Sequence, residues 1–155
     1  MTLHPASELT ASRAEGHESL STCRRLVETA SNAIAHEPNR MGAWRLVGAL
    51  LDARKAFQSH MALCRSSHGP LVHIGESSPR LQPAVHKVLD DHRNIIARFD
   101  DLIALASREK ATNAGSARRL RVAAVHADAA LAAYERRFHD IVYEWSNRDL
   151  GGEAG

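Results

Sequence analysis

Apolar residues recur along this chain at alternating spacings of three and four, the seam of an amphipathic helix facing a core. The first such line is His17, Leu20, Cys23, Val27, Ala30 and Ile34. The second is Leu46, Leu50, Ala53, Phe57, His60 and Cys64. The third is Val85, Val88, His92, Ile95, Phe99, Leu102 and Ala106. The fourth is Leu120, Ala124, Ala127, Leu131, Tyr134, Phe138, Ile141 and Trp145. These lines predict helices over about 14–35, 41–64, 81–107 and 116–149. No stretch shows strand-like alternation.

The breaks between lines have turn chemistry. "HEPNR" turns around Pro38, and "REKATNAGS" connects the last two helices. "RSSHGPLVHIGESSPR" carries two glycines and two prolines and reads as a loop. It is long for a loop without structure, so part of it is expected to pack as a short turn or lid. Pro83 suits the first turn of the third helix. Gly151 and Gly152 are placed to cap the fourth. Residues 1–13 read as a mobile tail and 14–150 as one domain. The expected fold is all-α, an antiparallel up-down-up-down four-helix bundle.

Composition narrows the function. A net charge of +2 with scattered basic residues supplies no clustered nucleic-acid surface. No apolar run is long enough to cross a membrane, and the first twenty residues lack a signal-peptide core. Two cysteines, Cys23 and Cys64, form no disulfide framework and read as reduced thiols of a cytoplasmic protein. No nucleophile elbow, phosphate-cradling glycine loop or isolated carboxylate dyad points to an enzyme.

Ten histidines are the unusual feature. His4, His36, His68, His73 and His126 read as surface positions. His17, His60 and His92 fall on the inward lines, with Cys64 one turn after His60. In up-down-up-down order the start of the first helix, the end of the second, the first half of the third and the second half of the fourth share one level. Those residues and Tyr134–His139 therefore face one layer, the way bundles build metal sites. A buried imidazole must pair both ring nitrogens or lose roughly 1–3 kcal/mol. Metal is one way to do so; a hydroxyl, a carbonyl or water is another. His17, His60, His92 and Cys64 would make a tetrahedral nitrogen and thiolate set for one Zn²⁺.

"HKVLDDHRNIIARFDDL", "YERRFHDIVYEWSNRDLGG" and "FQSHMALCRSSHG" resemble the hemerythrin-like (HHE cation-binding) domains of bacteria. The likeness runs from about His17 to the end and includes the "DDH" at Asp90–His92 and the "DLGG" at Asp149–Gly152. It implies a four-helix bundle holding a non-haem di-iron centre, with roles in dioxygen or nitric oxide binding, iron sensing or peroxide chemistry. By that resemblance His17, His60 and His92 match ligands of the first three helices. Cys64 stands where a carboxylate is expected and Tyr134 where the fourth helix gives a histidine. Phe138 takes a further inward position. His139 and Glu135 substitute only if the fourth helix rotates. A di-iron centre needs bridging carboxylates and an oxygen-rich shell. The expectation is therefore a degenerate site with Tyr134 and Phe138 packed as core, in a regulatory or interaction module whose partner is another protein or a second copy. The competing expectations are one zinc or non-haem iron on His17, His60, Cys64, His92 and His139, or an iron or oxygen sensor using Tyr134, Glu135 and His139.

Overall fold

The computed structural model describes residues 5–149, with side chains from 18 to 148. Five α-helices run in order: α1 Pro5–His36, α2 Arg40–Arg65, α3 Pro70–Ser77, α4 Gln82–Glu109 and α5 Ala114–Glu144. A 3₁₀ turn, Pro79–Leu81, precedes α4, and a π-helical turn, Trp145–Asp149, follows α5. The fold is an all-α four-helix bundle of α1, α2, α4 and α5. α1 packs on α2 and α5, and α4 packs on the same two helices.

The ion pairs show the antiparallel register. As α2 advances from Arg54 to Arg65, its partners on α4 retreat from Asp100 to the Leu89 carbonyl. As α5 advances from Arg119 to Arg137, its partners retreat from Glu109 to Asp91. Most of these groups are exposed, so they align the helices more than they stabilise them.

The helix starts follow from their capping residues. The Asn39 side chain accepts a hydrogen bond from the Gly42 N–H at 3.0 Å, and Asn113 accepts one from Ser116 at 2.9 Å. Pro70 occupies the first turn of α3 and Pro83 that of α4, where a missing N–H costs nothing. α4 ends on Lys110 in the left-handed conformation, φ 55°, with its N–H donating to Ala106.

Three boundaries differ from the expectation. α1 begins at Pro5, inside the stretch read as a tail. Proline at the first turn, followed by Ala, Glu, Leu and Arg, is sound helix-starting sequence without any apolar seam to reveal it. The long connection holds α3, whose Leu71 and Ile74 are fully buried. α3 packs against α1, α2 and α4 and closes the end of the bundle beyond Cys64. Gly69, before α3, lies so close to α2 that a β-carbon there would meet the Leu63 and Cys64 carbonyls at 2.2 and 2.7 Å. The fourth helix changes to π geometry at Trp145, which is 2% exposed and has the His73 ring edge-on at 5.4 Å. The expected caps Gly151 and Gly152 lie outside the described residues.

The inward lines form the core almost without exception. Leu20, Cys23, Val27, Ala30 and Ile34 of α1 are buried, as are Leu46, Leu50, Ala53 and Phe57 of α2. Ala127 is the one half-buried member of the α5 line. Among the described helices none is long and apolar enough to cross a membrane.

Candidate functional site

His60, Cys64, His92 and Tyr134 are each fully buried, in one layer toward the α3 end of the bundle. α2 supplies His60 and Cys64 from successive turns of its inner face, α4 supplies His92 and α5 supplies Tyr134. The Tyr134 hydroxyl lies 2.6 Å from His60 Nε2 and 2.6 Å from His92 Nε2. Cys64 Sγ is 3.5 Å from His60 Nε2 and also bonds with the Tyr134 hydroxyl. One ligand atom each from His60, Cys64 and His92 falls within 4.8 Å of the others.

Aromatic rings wall the layer. Phe57 stands edge-on to Tyr134 at 5.3 Å and to His92 at 5.8 Å, and Phe138 lies 5.0 Å from the His60 ring. Burial of this kind penalises every charged form. It pushes the Cys64 thiol up to about 12, against smaller opposing effects of Tyr134 and Arg65. It likewise raises the Tyr134 phenol above its ordinary range, helped by Cys64 and Asp91. It pushes His92 down to about 3, with His60 and Arg65 adding repulsion. The thiol, the phenol and the His92 imidazole of the layer are therefore neutral.

Their protons can be counted. A phenol has one O–H to give and two lone pairs to receive. With a nitrogen on each side at 2.6 Å and one phenolic proton, at least one imidazole donates its N–H to the oxygen. His92 Nδ1 has no hydrogen-bond partner among the described residues. A buried orphan lone pair is tolerated better than a buried orphan N–H. This assigns the proton of His92 to Nε2, donating to Tyr134.

Sequence reasoning put His60, Cys64, His92 and Tyr134 at one level, together with His17 and His139, but read Tyr134 as apolar packing. Its ring does pack, yet its oxygen is the hub on which the other three groups converge. The usable signal was the level argument, which put a hydroxyl-bearing ring opposite two inward histidines.

His139 and Glu135 fall elsewhere. His139 is half-buried, its ring 5.9 Å from that of Phe138, and it does not join the convergent donors. It follows Phe138 by one residue, so it points about 100° around the helix from that inward side chain. Glu135 is turned to α1, where its carboxylate lies 3.5 Å from Arg24. The His17 side chain lies outside the described residues. His36, His68, His73 and His126 are exposed, as expected, and His4 is outside the described residues.

A di-iron centre does not fit this donor set. No carboxylate among the described residues joins the cluster. The Asp91 carboxylate, adjacent in sequence to His92, is held at 2.8 Å by Arg137. Two nitrogens, one thiol and one phenol supply neither the bridging oxygens nor the negative charge that two irons require.

Both cysteines are packing groups in the folded chain. Burial also pushes Cys23 up to about 12. Neither thiol is expected to react with a disulfide reagent at pH 8 until the chain unfolds, when both should react. Titration with a chromogenic disulfide in buffer and in guanidinium tests this. Prompt modification of one thiol in buffer would show that the layer opens.

No family model matches the chain, and no curated protein or solved structure is similar to it at a significant level.

Proposed function

We propose that this chain is a hemerythrin-like bundle in which a metal-free, hydroxyl-centred hydrogen-bond layer stands in place of the di-iron centre, and that it works as a regulatory or interaction module. The observation that carries this reading is the Tyr134 hydroxyl, 2.6 Å from both Nε2 atoms. The nitrogens that would bind metal already have a partner, and that partner is neutral and fixed by packing. A hydrogen-bonded polar layer inside an apolar bundle favours one helix register over its alternatives, which suits a scaffold that presents surfaces. The hemerythrin-like part of the reading rests on the sequence resemblance together with the four-helix fold.

The test is the metal content of untagged protein, purified without chelator and then exposed to Fe²⁺ or Zn²⁺ without oxygen. The expected result is well under one metal per chain under either loading. Two irons per chain would overturn the reading.

A second reading has its own support in the 4.8 Å convergence of His60, Cys64 and His92. Two imidazoles and a thiolate suit one Zn²⁺ or a single non-haem iron, with the fourth position open. Such a site would serve as a metal or redox sensor. One zinc per chain, lost on Cys64→Ser, would select it over the metal-free layer.

A further inference from the structure

α2 carries a second apolar seam on its outer side. The inner seam uses Ala43, Leu46, Leu50, Ala53 and Phe57. The outer seam uses Met41, Trp44, Gly48 and Leu51, again at spacings of three and four, on the opposite face of the helix, and ends at the exposed Lys55. Met41 is 50% exposed, Trp44 73% and Leu51 51%. Gly48 lies midway, and a β-carbon built on it would meet nothing within 4 Å. A tryptophan, a methionine and a leucine in line around a glycine notch have the spacing of a two-heptad coiled-coil seam.

We propose that this outer seam of α2 is a homodimer interface, in which α2 pairs antiparallel with α2 of a second copy across a two-fold axis near Gly48. The inference rests on the interaction-module reading and names its partner. The charges flanking the seam select both the occupant and the orientation. Arg45 and Asp52 occupy equivalent positions of successive heptads, on the same side of the seam. Antiparallel pairing sets Arg45 against Asp52 of the second copy, and the two-fold repeats the pair. Parallel pairing would bring Arg40 beside Arg45 of the second copy with no opposite pair to offset it, whereas antiparallel pairing offsets the approach of Arg40 to Arg54 and Lys55 with two Arg45–Asp52 pairs. Asp52 has no salt-bridge partner among the described residues, while Arg45 reaches Glu37 at 2.9 Å. Each added pair would therefore extend a short chain of charges from Glu37 through Arg45 to Asp52. Arg54, on the other flank, is already held by Asp100 at 2.7 Å. Trp44 lies over Leu51 of the second copy in this register, and the absent side chain at Gly48 lets the helices approach.

Sedimentation equilibrium of the full chain tests the proposal. The expected mass is that of two 17.0 kDa chains at tens of micromolar. Trp44→Glu should weaken dimerisation by roughly a hundredfold or more, as loss of a central aromatic anchor does. Leu51→Glu gives a second disruption if the first variant fails to fold; both sites are exposed, so helical circular dichroism should be unchanged. Arg45→Asp and Asp52→Arg should each weaken the dimer about tenfold, and the two together should restore it. A one-chain mass for the parent protein would overturn the proposal, as would a dimer that Trp44→Glu leaves intact. Failure of the double exchange to restore affinity would overturn the antiparallel pairing. Metal content is read separately on the same samples. A monomer without metal would remove the dimer alone, and a dimer with two irons would remove the metal-free reading alone.

Discussion

Tyr134→Phe is expected to destabilise the fold by about 2–4 kcal/mol, the largest effect for the loss of one atom in this chain. The ring stays, so the packing against Phe57 and Phe138 is kept. What disappears is the oxygen that receives the His92 N–H and is hydrogen-bonded to His60 Nε2, each at 2.6 Å. The His92 N–H is then buried without its partner, and His60 Nε2 keeps the longer contact to the Cys64 sulfur at 3.5 Å; each lost bond costs roughly 1–3 kcal/mol. Urea unfolding reads the change as a lower midpoint at unchanged slope. The same variant removes the oxygen from between the two nitrogens and the thiol. Zn²⁺ or Co²⁺ is expected to raise its midpoint by mass action and leave the parent chain unaffected. A loss below about 0.5 kcal/mol would mean that the hydroxyl does not hold the two rings in solution.

The second large effect is on acid stability. Burial first, then His60 and Arg65, push His92 down to about 3 from its ordinary 6.5. The folded chain therefore resists a proton that the unfolded chain accepts. The stability held by the neutral ring is complete above about pH 6.5. It falls as pH drops through the window from 6.5 towards 3, at up to about 1.4 kcal/mol per unit for this one proton. Denaturant midpoints between pH 7 and pH 4.5, compared with those of His92→Gln, separate it from carboxylates such as Glu109, which is held low by its hydrogen bond from Arg119 and begins to contribute only at the acid end of this window. His92→Gln is expected to be less stable at pH 7 but nearly flat across this window. A parent chain whose midpoint stays level from pH 7 to 4.5 would show that His92 is solvated and titrates normally.

These two expectations rest on features of different legibility. The inward seams were readable because burial follows helical period, and the period is written in the order of residues. Leu20 to Ile34, Leu46 to Cys64 and Val85 to Ala106 are all core, as their spacing requires. The layer was readable too, because antiparallel order puts His60, His92 and Tyr134 at one level. The start of α1 at Pro5 was not, since its first turns lack an apolar line. α3 was hidden by its length: eight residues between glycine and proline signals look like a loop, and only contacts with three longer helices hold them helical.

The chemistry of the layer depended on a scale finer than spacing. Whether Tyr134 packs as a ring, binds a metal or bridges two imidazoles is decided by a few tenths of an ångström in helix approach and by one side-chain rotamer. The carboxylates show the same limit. Glu135 is four residues from His139 and one from Tyr134, yet Arg24 on α1 turns it away from the core. By itself the sequence determined an all-α bundle, its four inner faces and the residues of one polar layer, because periodicity and chain direction need no coordinates. Only the tertiary structure decided that a phenol oxygen occupies the centre of that layer, because the meeting of side chains from three helices is set by packing distance.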